Sequence, residues 1–283
     1  MPAVSAAQLP NLFLIGAAKS GTTSLHNYLD AHPEISMTRP KEPGFFATAA
    51  WRQRLPRYAA LFSSPDAPVR GESSTLYTYH PIAQGIPERI ASQCPDARLI
   101  YVVRDPIDRV VAHWVEDYAA LREHRTLAGV LVDLDQPANR YVAPSRYATQ
   151  LEQWLPWYED NRLLIIDQED LRHHRERVVL EALRFLEVDP EVPADLTFEM
   201  NVSGAKGSMT PAAARLWFIL QPATRRLPGD LKKTLARSRL FPTRRIGKPA
   251  LDDATRSALA AELGGEAARF RELTGMSFPT WTI

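Results

Sequence analysis

The segment from Asn11 to Leu29, NLFLIGAAKSGTTSLHNYL, constrains the fold of this chain more than any other. Residues 11–15 form a short, largely apolar run that predicts one buried strand, and the next seven residues are small, polar and interrupted by glycine. Leu25, Tyr28 and Leu29 then recur at helical spacing, so the small residues form a turn between a strand and a helix. Because the first N–H groups of a helix lack partners and its dipole is positive there, such a turn favours phosphate binding.

This turn resembles the Walker A loop, G-x-x-x-x-G-K-[ST], and departs from it at the lysine. Gly16 and Gly21 have the required separation, but Thr22 occupies the lysine position and Lys19 lies inside the loop. A kinase needs that lysine on the β- and γ-phosphates, so this version favours a terminal group with less charge. On the loop alone, an ordinary tight turn stays an alternative.

The string KSGTTSL resembles the loop that binds the 5′-phosphosulfate in sulfotransferases that use 3′-phosphoadenosine 5′-phosphosulfate (PAPS). The resemblance implies a P-loop-type three-layer α/β fold with a central parallel sheet flanked by helices. It also implies that the donor is bound by loop residues and that Lys19 stabilises charge at the reacting group. The loop residues concerned are Lys19, Ser20, Gly21, Thr22, Thr23 and Ser24.

A second motif begins at Arg104, between a predicted strand over Arg98–Val103 and a helix that starts near Pro106. Ligands bind at such strand ends in open α/β sheets, and a guanidinium grips phosphate with two parallel hydrogen bonds. The segment RLIYVVRDPIDRVVAHW is similar to the 3′-phosphate-binding element of the same family, approximately R-D-P-x-x-R-x-x-S-x-[YW]. The resemblance implies that Arg104 binds the 3′-phosphate.

The second motif departs from the family at Ala112, which stands where the pattern has serine. A hydroxyl contact to a charged group, worth about 1.5–3 kcal/mol, is therefore missing. His113 is a candidate replacement, with a packed or solvated histidine as the alternative. Arg109 matches the pattern and is as compatible with a structural role as with cofactor contact.

The prolines around Lys41-Glu42 predict a rigid, extended loop that presents a charged pair. From chemistry alone a solvated ion pair is an equal alternative. The K-E-P segment followed by aromatic residues is similar to the one that supplies the catalytic glutamate in the heparan-type and related sulfotransferases. The resemblance implies that Glu42 is the general base and that Lys41 neutralises charge at the transferring group.

The segment GESSTLY, residues 71–77, is similar to the family's G-E-x-[ST]-P-x-Y, with Thr75 in place of proline. In the family this segment lines the acceptor pocket, and Glu72 either orients a substrate hydroxyl or caps the next element. Residues 121–144 lose periodicity and predict a long surface loop. The family resemblance implies that this loop helps to shape the same pocket. The candidate acceptor-binding residues are Glu72, Phe46, Tyr77, His113 and Tyr118, with Tyr141 and Tyr147 as further lining candidates.

Late in the chain, Lys206-Gly207-Ser208 is similar to the family's K-G-R loop, which closes over the adenosine and 3′-phosphate. Residues 224–248 then carry nine Lys or Arg against one acid, Asp230. This basic segment is interpreted as a solvated helix face, a positive rim that attracts the anionic donor, or a docking surface for an acidic acceptor.

Apolar patterns elsewhere predict alternating helices and strands. A third strand is expected over Arg162–Asp167, and Phe278 and Trp281 are expected to pack against the core. The remaining helices are predicted over Pro81–Gln93, Arg146–Leu155, Glu169–Leu186 and Asp252–Leu273.

Composition further narrows the classes of protein to which this chain can belong. The 283 residues carry a net charge of +1, which argues against nucleic acid as the main partner. The single cysteine, Cys94, excludes an internal disulfide and predicts a small buried apolar residue, and the chain contains no obvious metal-ligand cluster. The absence of a long apolar run predicts a cytoplasmic protein without an integral membrane segment. We expect one domain over 1–283, with a basic helical segment, 211–283, packed on it.

The sequence therefore predicts transfer of a sulfuryl group from PAPS to a hydroxyl, or less readily an amine, of a small molecule or sugar, without a metal. A P-loop kinase for a small molecule is a rival, which the loop lysine does not support. A nucleotide-binding protein without transfer activity is a second rival, which Ala112 allows.

Overall fold

The computed structural model describes residues 9–190 and 249–283, together with Leu196, Leu220, Gly207–Met209 and Thr243–Arg245. The chain divides into two compact units. The first comprises Met1–Val110, Asp133–Met200 and Asp253–Ile283, and the second comprises Val111–Val132 and Asn201–Asp252. A single domain over 1–283 stays a prediction.

A five-stranded, all-parallel sheet forms the centre of the first unit. Its strands are β1 (Leu12–Gly16), β2 (Ile35–Met37), β3 (Val69–Ser73), β4 (Arg98–Val103) and β5 (Leu163–Asp167), in the order β2-β3-β1-β4-β5. On β1, Leu14 lies opposite Ser73 of β3 on one side and Ile100 of β4 on the other. The carboxyl ends of β3, β1 and β4 therefore meet at one edge of the sheet.

Helices cover both faces of this sheet, which explains why the central strand β1 and residues 99–103 of β4 are continuous apolar runs. Leu12 and Leu14 pack into a core with helices α1 (Thr22–Asp30), α7 (Gln168–His173) and α8 (Arg175–Leu186). Phe13 and Ile15 pack on the opposite face with helices α3 (Ile86–Ala91), α6 (Tyr147–Glu152) and α9 (Asp253–Thr274). The sequence prediction of a three-layer α/β fold with a parallel sheet is confirmed.

The other described elements connect these layers or belong to the second unit. Helix α2 spans Trp51–Tyr58, and α4 spans Pro106–Ala119. In the second unit, α5 spans Leu127–Val130, and strands β6 (Gly207–Met209) and β7 (Thr243–Arg245) pair antiparallel. None of the helices in the described ranges is long and apolar enough to cross a bilayer.

Two predicted helices differ from the observed ones. The helix predicted over Pro81–Gln93 begins only at Ile86, because Gly85 adopts a φ of +70° and ends the preceding turn. Ile82 lies before this start and is exposed, whereas Ile86 and Ile90 are buried. The helix predicted over Glu169–Leu186 is two helices, α7 and α8, separated by His174.

The C-terminal tail packs against the first unit, as predicted. Phe278 and Trp281 are buried, and their rings stack with centroids 4.3 Å apart. The next residue, Thr282, donates from its backbone N–H (2.6 Å) and its hydroxyl (2.8 Å) to Asp105 Oδ2. Since Asp105 follows Arg104 directly, the tail helps to hold the second motif.

Candidate active site

The turn after β1 has the backbone shape of a phosphate-binding loop. Gly21, with a φ of +91°, precedes α1, and no side chain caps the first N–H groups of that helix. Lys19 also has a positive φ, 71°. Gly16 is required at the start of the turn, because an added Cβ would lie 2.1 Å from Thr78 Oγ1. The uncapped helix N-terminus leaves donors suited to an anion.

Arg104 joins the second motif to this loop. Its Nη1 donates to the carbonyl oxygen of Lys19 (3.2 Å), and its Nη2 pairs with Asp108 Oδ2 (3.2 Å). The backbone N–H of Arg104 lies 3.4 Å from the hydroxyl of the buried Tyr147, which accepts from it. The two motifs are 85 residues apart in sequence and meet at the ends of neighbouring strands.

The residues around this junction fit a phosphate-bearing ligand. Arg104 Nε and Ser20 Oγ are buried and have no hydrogen-bond partner within the described part of the chain. An unsatisfied buried donor costs about 1–3 kcal/mol. A ligand oxygen that accepts at these positions would remove that cost, so the donor set is complementary to an anion.

The loop that carries Lys41 and Glu42 lies beside the end of β3. Glu42 has a φ of +60°, and its N–H donates to the carbonyl oxygen of Ser73 (2.9 Å). Lys41 Nζ lies 2.5 Å from Glu42 Oε1, and Thr75 Oγ1 lies 3.5 Å from Oε2. The Glu42 side chain is about half exposed, at 49%, so its carboxylate is accessible from solvent.

Glu72 lies beneath this loop and is fully buried. Its Oε2 accepts a hydrogen bond from the Tyr58 hydroxyl, and its Oε1 accepts one from Ser74 Oγ (2.6 Å). Burial raises the pKa of the Glu72 carboxyl, and the donated hydrogen bonds oppose that shift. Of its two sequence interpretations, contact with a substrate or a local structural role, these partners support the structural one.

Phe46 and Tyr77, two further acceptor candidates, are also buried. The Tyr77 hydroxyl accepts from the N–H of Phe46 (3.1 Å). Burial, with the charge and hydrogen bond of Glu72, raises the pKa of Tyr77 well above its ordinary value. Both side chains belong to the aromatic cluster under the Lys41-Glu42 loop, so neither is exposed to an acceptor in this structure.

Arg109 is completely buried and has a structural role. Its Nε donates to Ser145 Oγ, and its Nη2 donates to the carbonyl oxygen of Tyr141. Tyr141 is buried as well. Arg109 therefore ties residues 141–145 to the start of α4.

In the second unit, His113 and Tyr118 lie on α4. His113 is buried, with its Nε2 3.7 Å from Asp117 Oδ2, and Asp117 Oδ1 also accepts from Arg122 Nε (2.8 Å). The Tyr118 ring stacks on Trp114 with centroids 4.7 Å apart. Ala112 is buried on the same helix.

Other predicted features fall wholly or partly outside the described residues. Lys206 and most of the basic segment 224–248 lie there. Gly207 and Ser208 are described only as part of β6, where Ser208 lies opposite Arg244 of β7. Within residues 9–190 and 249–283, no group of three or more His, Cys, Asp or Glu side chains is arranged to hold a metal ion.

His26 was not singled out from the sequence and lies close to the candidate site. It is buried on α1, and its Nδ1 has no partner among the described residues. Burial, followed by the positive charge of Lys41, lowers its pKa to about 4. Its position four residues after Thr22, on the helix that follows the loop, was the available sequence signal.

Known proteins resemble this chain in sequence and in fold. Residues 9–207 match the family model described as "Sulfotransferase domain". The chain is 32% identical over 200 residues to mouse bifunctional heparan sulfate N-deacetylase/N-sulfotransferase 4, covering 64% of this chain and 23% of that protein. It is 31% identical over 201 residues to human bifunctional heparan sulfate N-deacetylase/N-sulfotransferase 3, covering 65% of this chain and 23% of that protein. The chain thus matches less than a quarter of the length of these relatives.

Among solved structures, a sulfotransferase from Alicyclobacillus acidocaldarius superimposes with a TM-score of 0.70. The superposition covers 97% of this chain and 99% of the other at 21% sequence identity, so it supports the fold alone. The family match spans more than half of the sequence and includes the phosphate loop, the Lys41-Glu42 loop and Arg104. The chain therefore belongs to the sulfotransferase domain family.

Proposed function

We propose that this chain transfers the sulfuryl group of PAPS to a hydroxyl group of a carbohydrate or small molecule. The observation that carries the proposal is the convergence of three groups at the ends of adjacent strands. The phosphate loop follows β1, Arg104 follows β4 and bonds the loop at Lys19 O (3.2 Å), and Glu42 is held at the end of β3. This arrangement supports a donor site next to an accessible carboxylate.

The donor-binding roles follow from the charges and free donors of the site. Lys19 and the first N–H groups of α1 would bind the 5′-phosphosulfate, as a helix N-terminus favours an anion. Arg104, with its unpartnered Nε, would bind the 3′-phosphate. Lys206, Gly207 and Ser208 are proposed to complete this site on the basis of the family resemblance.

The chemistry requires a base for the acceptor and stabilisation of the leaving group. PAPS supplies an activated sulfuryl group. Glu42 removes the proton of the acceptor hydroxyl while the acceptor oxygen forms a bond to sulfur. At the same time the bond from sulfur to the bridging oxygen of the phosphosulfate breaks. The electron pair leaves on the phosphate, where Lys19 and Lys41 stabilise it. Since Lys41 occupies Glu42 Oε1, the other oxygen, Oε2, is the one proposed to take the proton.

The relatives' names favour a carbohydrate acceptor and add an amine as a second acceptor class. The mouse and human proteins are named as heparan sulfate N-sulfotransferases, and 64–65% of this chain aligns with them. An amine nitrogen that attacks sulfur by the same route also loses a proton, so Glu42 would serve either acceptor.

The donor assignment is tested by calorimetric titration with adenosine 3′,5′-bisphosphate, the expected product, and separately with ATP and magnesium. We expect micromolar binding of the bisphosphate and weak binding of ATP. The Lys19→Ala variant should bind the bisphosphate roughly 10–150 times more weakly, which corresponds to a charge-assisted hydrogen bond of about 1.5–3 kcal/mol.

The matched control is Arg54→Ala, which removes an exposed cation from α2. Its affinity for the bisphosphate should equal that of the wild type. A preference for magnesium-ATP, or an unchanged affinity in Lys19→Ala, would show that the loop does not bind this donor.

A further inference from the structure

Three alternate amides tie the Lys41-Glu42 loop to the end of β3. The N–H of Glu42 donates to Ser73 O (2.9 Å), that of Gly44 to Ser74 Oγ (2.9 Å), and that of Phe46 to the Tyr77 hydroxyl (3.1 Å). Glu42 and Gly44 have positive φ values, 60° and 55°. Because a non-glycine residue is strained in that conformation, Glu42 needs anchors to stay there.

Glu72 contacts one of these anchors, Ser74, and also Tyr58, which packs against the loop. Its carboxylate accepts from Ser74, which holds Gly44, and from Tyr58, whose ring stacks on Phe45 at 3.9 Å between centroids. Gly44 and Phe45, which follow Glu42 in the loop, are thus both held by residues that bond to Glu72.

Glu72 also orients the Ser74 hydroxyl. That hydroxyl carries one proton, which it donates to Glu72 Oε1 (2.6 Å). The lone pairs of Ser74 Oγ are then directed to the N–H of Gly44. A glutamine at position 72 would also carry N–H donors. The Ser74 hydroxyl could then accept from the glutamine, and its lone pairs would no longer be reserved for the N–H of Gly44.

Burial of this carboxylate needs a reason beyond packing. Glu72 is completely buried, and it accepts hydrogen bonds from the hydroxyls of Ser74, Tyr58 and Tyr77 and from the backbone at Phe45, none of which is a cation. Removing a carboxylate from water is costly, and an apolar side chain fills such a space more cheaply. Its placement below the bend of the loop is consistent with a role in orienting that loop.

We propose that Glu72 is a positioning residue for Glu42, acting through Ser74 and Tyr58 to fix the loop that carries the base. This inference rests on the proposed function of Glu42 as the general base. Glu72 itself does not contact substrate or donor. Its removal should therefore lower kcat and leave donor binding intact.

The test measures kcat, the KM for PAPS, the affinity for adenosine 3′,5′-bisphosphate and the melting temperature for a set of variants. For Glu72→Gln we expect at least a tenfold loss of kcat, with bisphosphate affinity within twofold of the wild type. Ser74→Ala should reduce kcat in the same way, and Ser74→Thr, which restores a hydroxyl, should recover most of it.

The matched control is Tyr158→Phe. The Tyr158 hydroxyl is buried in the same aromatic core and donates to Cys94 O (2.9 Å), away from the loop. Tyr58→Phe and Tyr158→Phe each remove one buried phenol hydroxyl, so both should lower the melting temperature. We expect only Tyr58→Phe to lower kcat.

A coupling measurement separates positioning from stability. In the Glu42→Gln background, Ser74→Ala should cause no further loss of kcat, because its effect passes through Glu42. An unchanged kcat in both Glu72→Gln and Ser74→Ala would overturn the inference, as would an equal kcat loss in Tyr158→Phe. If Glu72→Gln does not fold, the Ser74→Ala and Ser74→Thr pair decides.

The failure of this inference is distinguishable from failure of the proposed function. Full turnover by Glu42→Gln alone would refute the role of Glu42 and the inference that depends on it. Loss of turnover in Glu42→Gln, together with unchanged kcat in Glu72→Gln and Ser74→Ala, would refute only the positioning role.

Discussion

The phosphate loop and the Lys41-Glu42 loop differ in what holds them. Within the phosphate loop, Ser20 N–H donates to Ala17 O (3.2 Å) and Ser24 N–H donates to Gly21 O (3.0 Å), contacts within a few residues. The amides of Gly44 and Phe46 in the other loop bond to side chains 30 and 31 residues away. The first loop is also bonded to the end of β4, where Ala17 N–H donates to Val102 O (2.6 Å) and Arg104 Nη1 donates to Lys19 O (3.2 Å). The first loop thus combines local turns with bonds to its neighbouring strand, and the second relies on distant polar side chains.

This difference implies different sensitivities to substitution. A change in the phosphate loop should act on donor binding or folding where it is made. A change in Glu72, Ser74 or Tyr58 should act on Glu42, although all three residues are distant from Glu42 in the sequence. Three substitutions probe the contrast, in order of decreasing expected effect.

The largest effect is expected for Glu42→Gln, which keeps the side-chain shape and removes the base. We expect kcat for sulfuryl transfer to fall by about 10²–10⁴, the range for general acid–base catalysis, with bisphosphate affinity unchanged. A transfer assay with an acceptor found by screening carbohydrates and small molecules measures the loss.

Glu88→Gln is the control for this substitution, since Glu88 is an exposed carboxylate on α3. It should retain wild-type turnover. Retained turnover in Glu42→Gln would assign the base to another side chain.

His26 links the two loops electrostatically, because it lies on the helix after the phosphate loop and is affected by Lys41. Burial and Lys41 lower its pKa from 6.5 to about 4 in the folded protein. The unfolded chain therefore binds this proton first as the pH falls. Stability from neutral His26 is fully present above pH 6.5 and is lost between pH 6.5 and 4.

Between pH 7 and pH 4, we expect the unfolding free energy of the wild type to fall by about 3 kcal/mol more than that of His26→Gln. Urea unfolding at four pH values in this interval measures the difference. His124→Gln, at an exposed position, is the matched control and should follow the wild-type profile. Parallel profiles for wild type and His26→Gln would contradict the burial and the coupling to Lys41.

The smallest effect is expected for Gly16→Ala, which tests the phosphate loop alone. The added Cβ would lie 2.1 Å from Thr78 Oγ1 and 3.0 Å from a ring carbon of Tyr101, so the loop must shift. Overpacking of this kind costs about 1–3 kcal/mol. We expect a lower melting temperature together with weaker bisphosphate binding.

Gly264→Ala in α9 is its control, because nothing lies within 4 Å of an added Cβ there. Helix propensity predicts a gain of roughly 0.5–1 kcal/mol, and thus a slightly higher melting temperature. Equal melting temperatures for Gly16→Ala and the wild type would mean that the close approach at Gly16 is relieved at little cost.

Much of the fold was predictable because its signals are local. The β1 and β4 strands are continuous apolar runs, and β4 begins and ends at the predicted residues, Arg98 and Val103. The helix predicted from Pro81 was wrong in its first part, since the left-handed Gly85 and the exposed Ile82 interrupt it. Periodicity identified the apolar positions of Ile86 and Ile90 and did not reveal that break.

The sequence by itself determined the strand, turn and helix of the phosphate loop, the motif at Arg104 and membership of the sulfotransferase domain family, because these depend on residues adjacent in the chain. Only the tertiary structure decided that Glu72 and His26 are buried. Whether a carboxylate caps, contacts a ligand or supports a loop depends on the partners that folding brings to it. For Glu72 those partners are Tyr58 and Ser74. Because burial removes the carboxyl group from water, it must take its hydrogen bonds from these side chains.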